Sequence, residues 1–337
     1  MKAAVLHGRA DVRIEEVDRP QPGPGEVVLR VEVALTGGTT LKMVRRGYHA
    51  RMGNPPLALG HEGVGVIESI GDGVDGFAIG DRVVPANSGS CGSCPACEHG
   101  LTAQCASMVW LTGMCAEAAL VPARIVETNL HKVPDGVDPR AAALAENVAC
   151  VLKGRDRSPG RAGEHAVVLG AGAMGLIWTR VLAITGVHVT TVDPLPERRD
   201  LAVELGARRA LDSGEFEEQV RDGQWAADLV VEVVGQPEAW ETAVRAAAPG
   251  GRVHFFGGPP RGTSIELDTQ RMHYDELTLV ASFHHTPYHF AEAVRAVSAG
   301  LIDPAVLVRE QVALDDLPAF FKRWFEGGGP PKAAVLP

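Results

Sequence analysis

Apolar residues in the first third of the chain fall in short runs that Gly and Pro cut apart. Val27–Val33, Gly63–Ile70 and Arg82–Pro85 have the apolar, β-branched content of strands. Turn residues bound them at Pro22-Gly23-Pro24-Gly25 and Gly71-Asp72-Gly73. This texture predicts a compact, mostly β domain. An Ala-rich segment over Pro139–Lys153 reads as a helix. From His165 the period changes. Ala166–Leu169 is a continuous apolar run of the buried-strand kind, followed by a Gly-rich turn and a helix-like run from Met174 to Thr185. Val187–Val192, Glu197–Leu205, Asp228–Val234, Glu238–Ala248 and Arg252–Phe256 continue the alternation of strand and helix. Such alternation predicts an α/β unit with a parallel, doubly wound sheet. Pro287–Gly300 reads as a last helix, and Val306–Pro337 carries no fingerprint of its own.

Length and charge narrow the picture. A chain of 337 residues is enough for about two domains. A formal net charge of -10 argues against a general nucleic-acid binder, which carries a basic surface. Met1–His7 has no long apolar stretch, so no signal peptide is expected. No run approaches the roughly 20 apolar residues that span a bilayer, so no membrane partner is expected either. Four of the six cysteines fall between Cys91 and Cys105 at metal spacing, which fits a reducing cytoplasm.

Gly170-Ala171-Gly172-Ala173-Met174-Gly175 follows a predicted strand and opens a predicted helix. In that context G-x-G-x-x-G reads as a dinucleotide site. Gly170 allows the tight turn, Gly172 lets the backbone approach a pyrophosphate, and Gly175 lets helix and strand pack closely. The helix N-terminus, Met174 within it, then presents free N–H groups to the phosphates. Asp193 ends the next strand, where a carboxylate can accept from ribose hydroxyls and repel a 2′-phosphate. NAD is therefore favoured over NADP. Arg198 and Arg199 weigh the other way, since a nearby Arg can accommodate that phosphate. The alternative is a glycine-rich turn with no ligand.

Cys91-x2-Cys94-x2-Cys97-x7-Cys105 supplies four thiolates from one loop. A closed four-sulfur shell leaves no position for substrate, so the zinc it predicts is structural. Disulfides or an iron–sulfur cluster are the other uses of four thiols, and the first is disfavoured in the cytoplasm. Cys115 and Cys150 read as packed small side chains.

Together these motifs carry a resemblance. Gly60-His61-Glu62-x2-Gly65-x5-Gly71-x2-Val74, then the four cysteines, then the Gly170 turn, resemble the medium-chain dehydrogenase/reductase superfamily over nearly the full length. The chain looks most like the zinc-containing alcohol dehydrogenases of the sorbitol and threonine dehydrogenase branch. The resemblance implies a GroES-like catalytic domain over 1–150, with a zinc lobe at about 88–108, and a Rossmann domain over 151–286. It implies that 287–337 return to the catalytic domain. It also implies an active site between the domains, a small-molecule substrate, and a homodimer or homotetramer.

One expected residue is missing. The family holds a catalytic zinc with a cysteine in a Cys-Gly-Ser/Thr-Asp stretch, and here that stretch is Gly37-Gly38-Thr39-Thr40. Gly37 stands for the cysteine and Thr40 for the aspartate. By resemblance, Thr39 keeps the hydroxyl that relays the alcohol proton, and His61 and Glu62 match two metal-site positions. Glu146 matches a downstream glutamate near the metal, although Asn147 follows it where a proline is usual. His61, Glu62 and Glu146 could still form a weakened metal site, so a catalytic zinc stays open.

The functional expectation is an NAD-dependent oxidoreductase acting on a secondary alcohol or its ketone, in a polyol or small polar substrate. The alternative is a zinc-independent reductase of a polarised C=C, C=N or C=O bond. A third reading is a dinucleotide-binding protein without catalysis. If no metal binds, His61 ranks first as general acid with Thr39 as relay, ahead of Tyr48, Lys153 and His284. Lys42, Arg45, Arg46, His49 and Arg51 form a basic stretch that reads as a solvated loop or as an anion-binding border. Of the adjacent His284 and His285, one at most is expected to face the cleft.

Overall fold

The computed structural model describes residues 1–337. The chain divides into two compact units, one formed by Met1–Ala149 with His285–Pro337 and the other by Cys150–His284.

The first unit is built around the Val27–Thr36 strand, which is buried at every position but Arg30 and Glu32. It pairs antiparallel with Gly63–Ile70 along one edge. Its other edge is shared. Ala118–Val121 covers the beginning and Lys332–Leu336 the end. The seven-stranded sheet runs Leu130–Lys132, Arg82–Pro85, Gly63–Ile70, Val27–Thr36, Lys332–Leu336 and Val308–Ala313, with Ala118–Val121 off this path. Leu29, Ile67, Val83, Phe320, Phe321 and Val335 fill the core beside it. A second sheet orders Asp11–Glu16, Lys2–Gly8 and Leu57–Ala58. The stretch after Val306, featureless by sequence, thus supplies two parallel strands and the Leu317–Gly327 helix. The register Ala333 to Thr36 sets Lys332 opposite Gly37.

The second unit is a six-stranded sheet in the order Arg209–Leu211, His188–Val192, His165–Leu169, Ala227–Glu232, Ala247–Phe255 and Thr278–Ala281. Every neighbouring pair is parallel. The order reverses direction between His165–Leu169 and Ala227–Glu232, the switch point at which such sheets hold ligands.

Two predicted helices differ in extent. Pro139–Lys153 is two helices, Pro139–Ala143 and Ala145–Arg157. Leu144 closes the first with a bond to Ala141 O at 3.1 Å, a tighter turn than the α-helix continues from. Glu238–Ala248 ends as a helix at Ala246, because Ala247 already pairs with Ala227 in the sheet.

Candidate functional site

In the second unit the glycine turn is sterically required. Gly170 has φ +99, and a Cβ there would press on Val234 at 3.0 Å. A Cβ on Gly175 would lie 1.8 Å from the Gly170 carbonyl oxygen, so the Ala173–Ile184 helix can start here only on glycine. Gly172 caps that helix, and a Cβ there would meet nothing within 4 Å. Its backbone is open to a close-lying group, and Met174 is half-buried in the first turn beyond it.

Asp193 is only 4% exposed. Its Oδ2 accepts from Ala171 N–H at 2.7 Å and its Oδ1 from Leu195 N–H at 3.0 Å. These bonds add a structural task to the ribose-accepting role expected from the sequence. The side chain first braces the glycine turn, and a carboxylate's remaining lone pairs are what is left for a ligand. Arg199 is likewise engaged, donating to Asp193 O at 2.8 Å and Pro194 O at 3.0 Å. Arg198 is half-buried beside it. Sequence reasoning missed Glu232, which is fully buried at the end of the adjacent strand. Its Oε1 accepts from the N–H groups of Val234 and Gly235, both at 2.7 Å. An acidic residue inside the apolar Asp228–Val234 run was the available signal.

In the first unit the ligand atoms of Cys91, Cys94, Cys97 and Cys105 lie within 4.8 Å of one another. Cys94 Sγ is 3.6 Å from Cys97 Sγ, and Cys91 Sγ is 4.0 Å from it. Tetrahedral zinc at about 2.3 Å from each sulfur requires sulfurs about 3.8 Å apart, so these four fit that ion. The Ser93 N–H, followed by other nearby donors, pulls the Cys91 thiol down to about 5, while burial and the neighbouring thiols push Cys97 up to about 11, so the fit to zinc rests on the sulfur geometry. Arg51, from the basic stretch, ties into this lobe through Ala103 O at 3.3 Å. Cys115 is buried and its thiol is pushed up to about 12 by burial, so it stays inert. Cys150 is buried as well.

The His–Glu centre follows a turn at Gly60, where φ is +92 and a Cβ would strike Cys115 N at 2.4 Å. His61 and Glu62 are 2% and 4% exposed. The Lys332 ammonium, itself 1% exposed, makes an ion pair and hydrogen bond with Glu62 Oε2. Glu62 Oε1 accepts from Asn147 Nδ2 at 3.2 Å and lies 3.6 Å from His61 Nε2. Asn147 also donates to Glu146 Oε2 at 3.0 Å. Asn87 donates to Glu146 Oε1 at 3.1 Å, and Asn87 Oδ1 meets His285 Nε2 at 3.0 Å. A connected polar network therefore runs from Lys332 to His285.

Electrostatics set the states of its members. Burial raises the Glu62 carboxyl, but Lys332 and His61, with the Lys332 and Asn147 hydrogen bonds, outweigh it and hold it below the usual range. Burial pushes His61 down to about 4, and Lys332 and His49 add to this against Glu62. His61 is thus a neutral imidazole at pH 7. That differs from the general-acid role ranked first by sequence. A neutral imidazole can still donate a hydrogen bond to a polarised oxygen.

The centre does not fit a catalytic zinc. Such an ion takes three protein ligands. His61 Nδ1 has no protein partner and could serve. Gly37 offers no donor, Glu62 is paired to an ammonium, and both Glu146 oxygens are engaged by amides. A Cβ built on Gly37 would come within 2.6 Å of Lys332 Nζ.

The remaining candidates lie on several elements. Thr39 is half-buried in the first turn of the Gly38–Arg46 helix. Thr40 next to it is buried, its hydroxyl without a partner. Tyr48 is exposed. Lys153 is no plain surface lysine, for it donates to Phe283 O at 2.8 Å. His284 and His285 lie beyond the Thr278–Ala281 strand, and His284 has φ +60, so strand alternation does not govern them.

Residues 23–135 match the alcohol dehydrogenase GroES-like domain and residues 173–299 the zinc-binding dehydrogenase domain. A 2-dehydro-3-deoxy-L-galactonate 5-dehydrogenase from Pseudoalteromonas atlantica is 30% identical over 329 residues, covering 95% of this chain and 94% of that protein. The chain belongs to the zinc-type alcohol dehydrogenase family. L-threonine 3-dehydrogenase from Pyrococcus furiosus is 33% identical over 75% of this alcohol dehydrogenase homologue and 74% of its own length. A zinc-binding dehydrogenase from Sinorhizobium meliloti, solved with NADP bound, superposes with a TM-score of 0.90 at 27% identity, covering 100% and 99% of the two chains. The protein is an alcohol-dehydrogenase-like oxidoreductase. No helix is long and apolar enough to cross a membrane.

Proposed function

We propose that the protein interconverts a secondary alcohol and its ketone, in a polyol or other small polar substrate, with NAD as the hydride carrier. The observation that carries this is the glycine turn at the switch point of the parallel sheet, where Gly170 and Gly175 admit no side chain. The relatives' names support the substrate class, since threonine and a deoxy-galactonate both carry secondary alcohols. Asp193 at the strand end supports NAD, because its charge opposes a 2′-phosphate. When bound, the nicotinamide supplies or accepts one hydride. The carbon that receives it becomes the carbinol carbon, and its oxygen takes one proton. Thr39 would relay that proton, and neutral His61 would hold the oxygen by a hydrogen bond. Active assembly as a homodimer or homotetramer accompanies this reading.

Gly37 and the placement of Lys332 favour a second reading, reduction of a polarised C=C, C=N or C=O bond without metal. One assay separates the two. NADH and NADPH consumption is followed with a panel of ketoses and hydroxyketones and a panel of enones and imines. Turnover on the first panel that also runs backwards with NAD and the matching secondary alcohols supports the leading reading, and turnover confined to the second panel replaces it. An NAD preference in kcat/KM of less than about tenfold, or 1.4 kcal/mol, removes the cofactor assignment.

A further inference from the structure

Strand register brings two distant residues together. Ala333 pairs with Thr36, so Lys332 lies opposite Gly37 at the edge of the His–Glu centre. A Cβ at position 37 would stand 2.6 Å from Lys332 Nζ. Residue 37 and the ammonium thus compete for the same space, and glycine is the residue that leaves it to the lysine. Lysine is almost never this buried unless paired. Its pair is Glu62, which receives Asn147 on the other oxygen.

The centre is therefore already neutralised by a group of the chain itself. We propose that Lys332 is its resident cation: the ammonium fills the place of the metal-anchoring side chain, positions Glu62, and keeps a catalytic zinc out. The chain then binds zinc through Cys91, Cys94, Cys97 and Cys105 alone. Lys332 is a positioning residue. It holds Glu62, which lies 3.6 Å from His61 Nε2, and so sets the imidazole whose Nδ1 has no protein partner. This deepens the oxidoreductase reading and rests on it for the role of His61, while the metal count stands apart from turnover.

The test begins with elemental analysis of the full chain purified without added metal or chelator. One zinc per chain, lost in Cys97→Ala, is the expected result. Two zincs, or one zinc that survives Cys97→Ala, overturns the proposal. In Gly37→Cys/Lys332→Met the space and the charge are both released, and a second zinc per chain is expected; a count that stays at one overturns it. In Lys332→Met alone, kcat is expected to fall about 100-fold while the dinucleotide dissociation constant holds. Lys332→Arg, which keeps the charge, is expected to recover part of that loss. An unchanged kcat in Lys332→Met overturns the positioning role. One zinc per chain with no turnover on any compound would remove the oxidoreductase reading and leave the metal exclusion standing.

Discussion

Replacing Lys332 by methionine tests the energetics of the buried pair. Methionine keeps most of the stem volume and removes the charge. Glu62, 4% exposed, would then be left with Asn147 at 3.2 Å as its donor. Removing one member of a buried ion pair costs about 3–5 kcal/mol, because the other charge stays uncompensated. Glu62→Gln strands the ammonium and is expected to cost a similar amount. Lys332→Met/Glu62→Gln buries no charge, and the Gln oxygen can still accept from Asn147. Neutral replacements of similar volume are often close to neutral in stability, so the double variant is expected within about 2 kcal/mol of the wild type. The two singles would sum to about 6–10 kcal/mol, so the coupling is at least about 4 kcal/mol. Urea titration of the four proteins at pH 7, followed by circular dichroism, measures it. A pH series adds a sign. Without Lys332, the burial that raises the Glu62 carboxyl loses its strongest opponent, so the carboxyl is expected to rise above its unfolded value of about 4.3. A carboxyl raised in the folded state keeps full stability below the unfolded value and loses it as pH rises through the folded one. The Lys332→Met deficit should therefore be larger at pH 8 than at pH 5. Additive singles, within about 0.5 kcal/mol, or a deficit that ignores pH, would refute the reasoning.

Three further outcomes follow from the same geometry. His61 and His254 are each pushed down to about 4, chiefly by burial, from an unfolded value of 6.5. The unfolded chain takes protons that the folded one refuses, so stability is full above pH 6.5 and falls as pH drops toward 4, by about 3 kcal/mol per histidine. His254→Asn should flatten the fall of melting temperature over that window, and an unflattened slope would count against the burial argument. Gly175→Ala places a methyl 1.8 Å from Gly170 O, so NADH affinity by fluorescence titration should weaken at least about tenfold. Unchanged affinity would mean the turn can move aside. Chelation of zinc from the four-cysteine loop removes an ordering energy on the order of 10–16 kcal/mol, and limited proteolysis should then cut between Cys91 and Cys105. Resistance to cleavage would show that packing alone holds the loop.

Legibility tracked distance along the chain. The parallel sheet was readable because each strand and helix of the second unit carries its own period. Helix ends were less so. The stop at Ala246 depends on sheet pairing with Ala227, which no local signal in Glu238–Ala248 announces. The Val306–Pro337 segment lacked a motif because its strands are specified by partners elsewhere, Lys332–Leu336 by Val27–Thr36 in particular. Asp193 was visible as an acid at a strand end, but not its two bonds to backbone N–H groups of the turns it braces.

By itself the sequence determined the features whose parts lie within a few residues of each other. Four cysteines in one loop can meet because the connecting chain is short, and Gly170 and Gly175 are required by the geometry of a single turn. The state of the His–Glu centre was decided elsewhere. Sequence shows Gly37 as a missing ligand and Lys332 as one lysine before an apolar run. Strand register brings Lys332 beside Gly37, and with it the ammonium to Glu62 across 270 positions. Burial then fixes the charge states, since desolvation neutralises His61 while the ammonium keeps Glu62 ionised. Both effects depend on what surrounds a side chain in three dimensions, and a residue string carries no record of that until the sheet has closed.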